Sequence, residues 1–398
     1  MLTSVPMGSR ADDATAWLSD QALAMEQAVA RLVDVNSYTE NPAGGRTTGT
    51  LLLELFSIAG LESTVRASDR FADHLVFRSR PRASNHGAVA LVGHLDTVFP
   101  PGVFEGYRRD GPLGRGPGVL DMKGGLVVMA FALRALAATC GLDAVVPIRA
   151  VIVGDEEVGS PEGQGVIAAA ITGSSACLVF EAGRQGDAII TRRKGTGGLT
   201  AIARGRAAHA GNSHAEGNNA IWALSRFIDA AQRLTRYDAG LTVNVGRVSG
   251  GHSKNTVPDH AEAQLDIRFH TRADGEQLVA SIRQAADEAA AGVAGTRIDV
   301  QGGVARLPLE RSDASARLLE EYGACARAHG LGDAEAPVIG GGSDASTASA
   351  LGVPAIDGLG PRGVGFHTTD ECIEVSSMVP KAQALARLLA ERPCAPGD

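Results

Sequence analysis

The chain predicts an α/β protein: a mixed, largely parallel sheet flanked by helices, with a smaller α+β two-layer domain inserted into it. Three observations carry this. Apolar runs at 88–93, 148–153 and 177–180 are short, rich in Val and Ile, and bounded by Gly or acidic residues, so they read as strands buried on both faces. Helical patterns alternate with them, the rhythm of parallel strands joined by crossover helices. From about Gly195 to Gly303 the texture changes to strand 198–204, helix 218–236, strand 241–248, strand 261–269, helix 274–291 and strand 296–301. That order makes a self-contained open-faced sandwich.

The elements of the first domain follow in order. From Asp13 to about Val33 apolar residues recur at helical spacing, and Thr50 to Ile58 does the same. Leu126 to Thr139, rich in Ala, Leu and Met, is the helix that follows the first buried strand. Pro337 to Asp357 and then Cys372 to Leu389 resume the strand–helix rhythm. Residues 1–194 and 304–398 therefore form one discontinuous domain, and 195–303 an inserted lid.

Composition narrows the function. At 398 residues two domains are expected, and 44% hydrophobic with 21% charged residues suits a protein with a large core. Only 4% of residues are aromatic and the net charge is -8, which argues against a nucleic-acid partner. No stretch approaches the ~20 apolar residues that span a bilayer. The first ten residues carry neither a basic nor a long apolar signal region, and Cys140, Cys177, Cys325, Cys372 and Cys394 form no C-x-x-C pair. A cytoplasmic protein with reduced thiols is expected.

The chemistry is written at the strand ends. His94, Asp96, Asp155, Glu156, Glu157 and Glu181 each lie just past an apolar run, where open α/β sheets gather functional groups. One histidine after a strand is more often structural, and one acid at a helix start is more often a cap. Asp121, before the helix from Leu126, fits a cap as well as a ligand. Coincidence decides: several separate loops each deliver a ligand of the type that zinc and its neighbours take, and no thiolate cluster competes. So many carboxylates at one sheet edge repel one another unless a divalent cation offsets them. Glu156 and Glu157 are adjacent, so in a loop one can bind metal while the other acts as general base.

Six phrases, in order, resemble the co-catalytic di-zinc family of aminoacylases and carboxypeptidases. They are Gly93-His-Leu-Asp-Thr-Val98, Gly118-Val-Leu-Asp-Met-Lys-Gly-Gly125, Asp155-Glu-Glu-Val-Gly159, Ala208-His-Ala-Gly211, Gly340-Gly-Gly-Ser-Asp344 and Gly365-Phe-His367. The family includes glutamate carboxypeptidases, acetylornithine deacetylase, succinyl-diaminopimelate desuccinylase and several dipeptidases. The resemblance implies that His94 and Glu181 hold one zinc, Glu157 and His367 the other, and that Asp121 bridges both, with a cis peptide to Met122. It implies that Asp96 orients His94 and that Glu156 activates the metal-bridging water, then passes the proton to the leaving amine. Glu181, which is Asp in some relatives, points to the glutamate carboxypeptidase and acylase side.

Two metals roughly 3.5–4 Å apart would lower the pKa of a shared water and polarise the scissile carbonyl; cobalt or manganese would suit the same ligands. His209 resembles the family histidine that reaches across a dimer to supply the oxyanion donor, although a surface turn also accounts for it. Asn255 and Arg268 match positions that help bind the substrate carboxylate. Arg306 is a looser match that an ordinary surface arginine would satisfy. The Gly340–Ser343 loop, with Gly341, Gly342 and Ser343, offers backbone N–H groups suited to a carboxylate.

The expected activity is hydrolysis of an amide or peptide bond next to a free carboxylate, glutamate carboxypeptidase-like or N-acyl-amino-acid amidohydrolase, in a homodimer formed through the lid. A dipeptidase, an acylornithine-type deacylase or a non-catalytic binding relative is the alternative. A dinucleotide-binding reading of Gly163-Gln-Gly-Val-Ile-Ala168 fails on context. Asp155, Glu156, Glu157 and Glu162 separate it from the preceding strand and would repel a pyrophosphate.

Overall fold

The computed structural model describes residues 7–79 and 87–393. The chain divides into two compact units: one comprises the chain to Arg192, Arg311–Val338 and the chain from Ser343, the other Arg193–Glu310 with Ile339–Gly342. Cys394 lies outside the described residues.

In the first unit six of the described strands form a sheet ordered Leu61–Arg66, His74–Ser79, Ile148–Val153, Val89–His94, Ala176–Val179, Ala355–Ile356, and Gly363–Val364, Cys372–Glu374, Leu113–Arg115 and Arg108–Asp110 form a second one. In the six-stranded sheet His74–Ser79 runs against its two neighbours, and the other pairings are parallel. Every residue of Val89–His94 and Ile148–Val153 is buried, so both faces are covered, as the uninterrupted apolar runs require. Helix Gly124–Thr139 is apolar almost throughout, and packs with Met7–Ser19 and Met378–Glu391. A Cβ on its Gly125 would lie 2.1 Å from the Phe180 carbonyl oxygen, so glycine there lets the helix start close against the strand end. Truncating its buried Leu126 to Ala would cost about 2–5 kcal/mol.

In the second unit strands Thr242–Gly250, His260–Phe269, Gly195–Arg204 and Arg297–Arg306 form an antiparallel sheet in that order, with helices Ala220–Gln232 and Arg272–Ala291 packed on it. Burial alternates along Gly195–Arg204 and His260–Phe269, the period-two pattern of strands with one face under helices. A short ribbon pairs Ala208–His209 with Thr256–Val257.

Several boundaries differ from expectation for local reasons. The Asp13–Val33 pattern is two helices, Met7–Ser19 and Ala22–Val33, broken at Asp20–Gln21. The helix expected at Thr50 starts at Pro42, capped by the Asn41 side chain, and ends at Leu55. Asn219 accepts from the Trp222 N–H at 2.8 Å, so that helix begins at Ala220 instead of 218. The structure adds helices Gly163–Ile171 and Asp313–Ala328 and the strands Leu61–Arg66 and His74–Ser79.

Candidate metal centre

Three adjacent parallel strands deliver their loops to one edge. His94 ends the central strand, Asp155 to Glu157 follow Ile148–Val153 on one side, and Glu181 follows Ala176–Val179 on the other. The chain passes from the central strand to Ile148–Val153 on one side, and from Ala176–Val179 outward to Ala355–Ile356 on the other, the kind of reversal at which open α/β sheets gather functional groups.

Asp121 lies between two histidines. Its Oδ1 is 3.2 Å from His94 Nε2 and its Oδ2 3.4 Å from His367 Nε2. His94 Nε2 is also 3.7 Å from Glu181 Oε1, and His367 Nε2 is 3.1 Å from Glu157 Oε2. The Asp121–Met122 peptide is cis. Glu156 and Glu157, on the 3-10 turn Glu156–Val158, are both brought to the cluster. His94, Asp121 and Glu157 offer ligand atoms within 4.8 Å of one another, and so do His94, Glu156 and Glu181. The two groups share His94, and Asp121 turns one oxygen toward each histidine; imidazole nitrogens and carboxylate oxygens so arranged fit a pair of divalent cations.

Asp96 reaches further than expected. Its backbone oxygen is 3.0 Å from His94 Nδ1, and its Oδ1 is 3.4 Å away. That leaves Nε2 facing Asp121. The same carboxylate accepts from the Glu156 and Glu157 N–H groups, each at 3.1 Å, and from Thr39 Oγ1 at 2.8 Å. Asp155 points elsewhere: its Oδ2 accepts from the N–H groups of Glu162 and Gly163 at 2.8 and 3.0 Å, at the start of helix Gly163–Ile171. The Gly-x-Gly spacing is thus the first turn of that helix.

The charges answer one another. Burial pushes the Asp121 carboxyl up, but hydrogen bonds from His367 and His94 outweigh it and hold it below the usual range. Burial pushes Glu157 up to about 8, against the His367 hydrogen bond, and burial with the Asp121 charge raises Glu181. Hydrogen bonds from Asp121 and Glu157 raise His367 to about 10. His94 is raised too, because the carboxylates around it outweigh the opposing effect of burial.

Two contributors carry no mark in the sequence. Thr39 is one, carried on the segment after helix Ala22–Val33, with no motif to mark it. Glu371 is the other: fully buried, its carboxylate accepts from Gly118, Leu120 and Asp121 N–H groups. It lies four residues beyond His367, where an acid before a short apolar strand looks like a surface turn.

The remaining candidates lie in two groups on the second unit, with Ser343 on the first. His209, exposed on the short ribbon, pairs with Thr256, and its Nδ1 accepts from the Gly211 and Asn212 N–H groups at 3.1 and 3.0 Å. That bonding makes Nε2 the proton-bearing nitrogen of the neutral ring. Asn255 adjoins it, its carbonyl accepting from Ala210 N–H at 2.9 Å. Arg268 and Arg306 flank Thr196 in register on adjacent strands, a row made by the bulge between Val304 and Arg306. Arg268 is paired through two bonds to Asp266, at 2.8 and 2.9 Å. Arg306 is 5% exposed, which removes the surface-arginine reading. A Cβ on Gly342 would lie 2.7 Å from Arg306 Cδ, and Gly341 O accepts from Arg193 Nη1 at 3.3 Å, so the glycine loop lies beside that row. Ser343 Oγ donates to Asp357 Oδ2 at 2.6 Å and is buried.

An α/β domain with two overlapping candidate metal clusters at its strand ends, joined to a separate α+β unit, defines a metal-dependent hydrolase. Residues 191–294 match the model of the peptidase dimerisation domain. The chain is similar to the succinyl-diaminopimelate desuccinylase of Methylobacterium radiotolerans, 32% identical over 322 residues, 74% of this chain and 78% of that protein. It is 25% identical to carboxypeptidase G2 of Pseudomonas sp. (strain RS-16) over 383 residues, 94% of this chain and 90% of that one. Its fold is that of aminopeptidase PepT from Bacillus cereus, with a TM-score of 0.76, 24% identity, and coverage of 93% of this chain and 98% of that chain. The chain belongs to the M20 family of metallopeptidases.

Proposed function

We propose that this protein hydrolyses an amide bond adjacent to a free carboxylate, releasing an amino acid from an N-acyl amino acid or a short peptide. The observation that carries this reading is the position of Asp121, one carboxylate oxygen toward His94 and the other toward His367. His94 and Glu181 would hold one divalent ion, Glu157 and His367 the other, and Asp121 both; zinc, cobalt or manganese suits these donors. When bound, the pair supplies Lewis-acid polarisation of the scissile carbonyl and a more acidic water.

Glu156 is the proposed base. Its carboxylate shares the His94–Glu181 cluster, while Glu157 is engaged with His367. It would take the proton of the attacking water and return it to the leaving nitrogen. Asp96 holds the turn carrying both glutamates. His209, with Nε2–H as donor, would stabilise the developing oxyanion. For the substrate carboxylate, the row Arg268–Thr196–Arg306 beside Gly341 and Gly342 offers two arginines whose backbones lie roughly 10 Å apart, two strand spacings. Asn255, next to His209, and Ser343 complete the set. Arg268 would have to exchange Asp266 for the substrate.

A glutamate carboxypeptidase-like activity rests on Glu181 and on the likeness to carboxypeptidase G2 along nearly the whole chain. The desuccinylase relatives favour an N-acyl amino acid instead. The dimerisation-domain match supports a homodimer formed through the second unit, where strand Thr242–Gly250 is an edge with an increasingly exposed end. A cytoplasmic setting draws on the unpaired Cys140, Cys177, Cys325 and Cys372.

The test is a panel of N-acyl amino acids and dipeptides against zinc-loaded protein, read as free amine. Glu156→Gln should lower kcat by about 10²–10⁴-fold while metal content stays at two per chain. Turnover surviving that change would remove Glu156 as the base.

A further inference from the structure

We infer that Glu371 is the positioning residue that sets Asp121 between its two histidines; this rests on the proposed role of Asp121 as the shared metal ligand. Glu371 Oε1 accepts from the Leu120 and Asp121 N–H groups at 2.8 and 2.9 Å, and Oε2 accepts from the Gly118 N–H at 3.1 Å. Neighbouring amides pointing at one spot make a concave anion site, usually filled by a ligand. Here the chain's own carboxylate fills it, with no solvent access.

The connection runs both ways. Gly118 at φ +72 and Asp121 at φ -120, ψ 89 depart from helical geometry, and the three bonds to Glu371 span that departure. On the other side, Glu371 N–H donates to Thr368 O, Thr368 N–H donates to Gly365 O, and the Gly116 N–H donates to Glu371 O. Strand Cys372–Glu374 pairs Cys372 with Arg115 and Ile373 with Gly114, which fixes the register of Glu371 under the loop before Asp121. One seven-residue stretch, Gly365 to Glu371, therefore presents His367 with its first half and holds Asp121 with its second. The separation of those two ligands is set within that stretch instead of by the distant core.

Three N–H donors demand acceptors. A glutamine of the same shape offers one oxygen and turns an NH₂ group toward amides that can only donate. An aspartate keeps both oxygens but draws them back by one methylene.

The experiment uses full-length protein stripped of metal and titrated with cobalt(II), followed by calorimetry and by the visible absorption of the bound ion. Glu371→Gln is expected to weaken binding of both ions by about 10–100-fold and to alter the absorption, because Asp121 belongs to both donor sets. Glu371→Asp should fall between it and wild type, and supplies the measurement if the glutamine variant does not fold. Leu385→Ala, a buried packing change in helix Met378–Glu391, should lower Tm without moving cobalt affinity or spectrum. Wild-type affinity and spectrum in Glu371→Gln, or in Glu371→Asp where that variant stands in, would overturn the inference. Equal spectral loss in Leu385→Ala would do the same. Asp121→Asn is run in parallel: if it leaves the wild-type spectrum intact, the shared-ligand reading of Asp121 fails instead.

Discussion

The two halves of the candidate centre are built differently. The His94 side chain is 1% exposed and that of Glu181 9%; both come from the ends of core strands, and the His94 ring is fixed from behind by Asp96. His367 is 48% exposed and sits at φ +62, a left-handed conformation uncommon for a residue with a side chain. Glu157, with a side chain 6% exposed, also follows a core strand, so the difference between the halves lies in His367, which comes from a surface loop. Asp121, with one oxygen toward each histidine, faces a rigid position on one side and an adjustable one on the other, and under the proposed assignment the two should differ in how tightly they keep an ion.

The sharpest way to break that comparison is to remove each histidine. His94→Ala should abolish one ion per chain and also lower the Tm of the metal-free protein by several degrees, since it leaves buried carboxylates without their partner. His367→Ala should also abolish one ion with a smaller Tm loss, because its ring is 48% exposed and solvent can reach the carboxylates it leaves. Elemental analysis and circular dichroism would read both, and equal Tm losses would erase the distinction.

On the second unit, His209→Ala should lower kcat by about 10²–10³-fold with little change in KM, because an oxyanion donor acts in the transition state. An effect confined to KM would move His209 from catalysis to binding.

Protons compete with metal in both halves, since His94 and Glu181 are raised as well. Glu157 at about 8 and His367 at about 10 must both lose protons before they can ligate. Metal competes with those protons, so affinity should rise as pH increases from 6 toward 8 and fall in the opposite direction. Calorimetry in buffers of different ionisation enthalpy should detect proton release, and binding without it would contradict the assignment.

The smallest effect is expected at Thr39→Val. It removes one hydrogen bond to the Asp96 carboxylate, a loss of about 1.5–3 kcal/mol in stability at most and a few-fold in kcat. An unchanged enzyme would mean the N–H groups of Glu156 and Glu157 hold Asp96 without it.

Much of this centre was legible in the sequence because the central strands are unbroken apolar runs that stop at ligand-type residues. Val89–His94, Ile148–Val153 and Ala176–Val179 announce both their burial and their ends. What stayed hidden depends on distances no local pattern encodes. Asp155 is as acidic as Glu156, and only its bonds to the Glu162 and Gly163 N–H groups separate a helix cap from a ligand. Glu371 reads as a turn until the pairing of Cys372 with Arg115 brings the Asp121 loop over it. Arg268 and Arg306 are 38 residues apart, and the bulge at Val304–Arg306 decides that they face the same threonine. Strand His74–Ser79 carries a buried histidine and an arginine, so its apolar signal is weak.

The interleaved path of the chain has a consequence for synthesis. Helix Met7–Ser19 packs against Met378–Glu391: the Gln383 side chain donates to Thr15 O at 2.8 Å, and Arg387 Nη2 to Asp12 Oδ1 at 2.6 Å. On the ribosome those early residues must wait for the last helix to emerge, while Arg193–Glu310 can collapse on its own in the interval. A nascent chain halted before Met378 would carry a finished insert within an open host, its Leu18 and Met25 side chains left for a chaperone to cover.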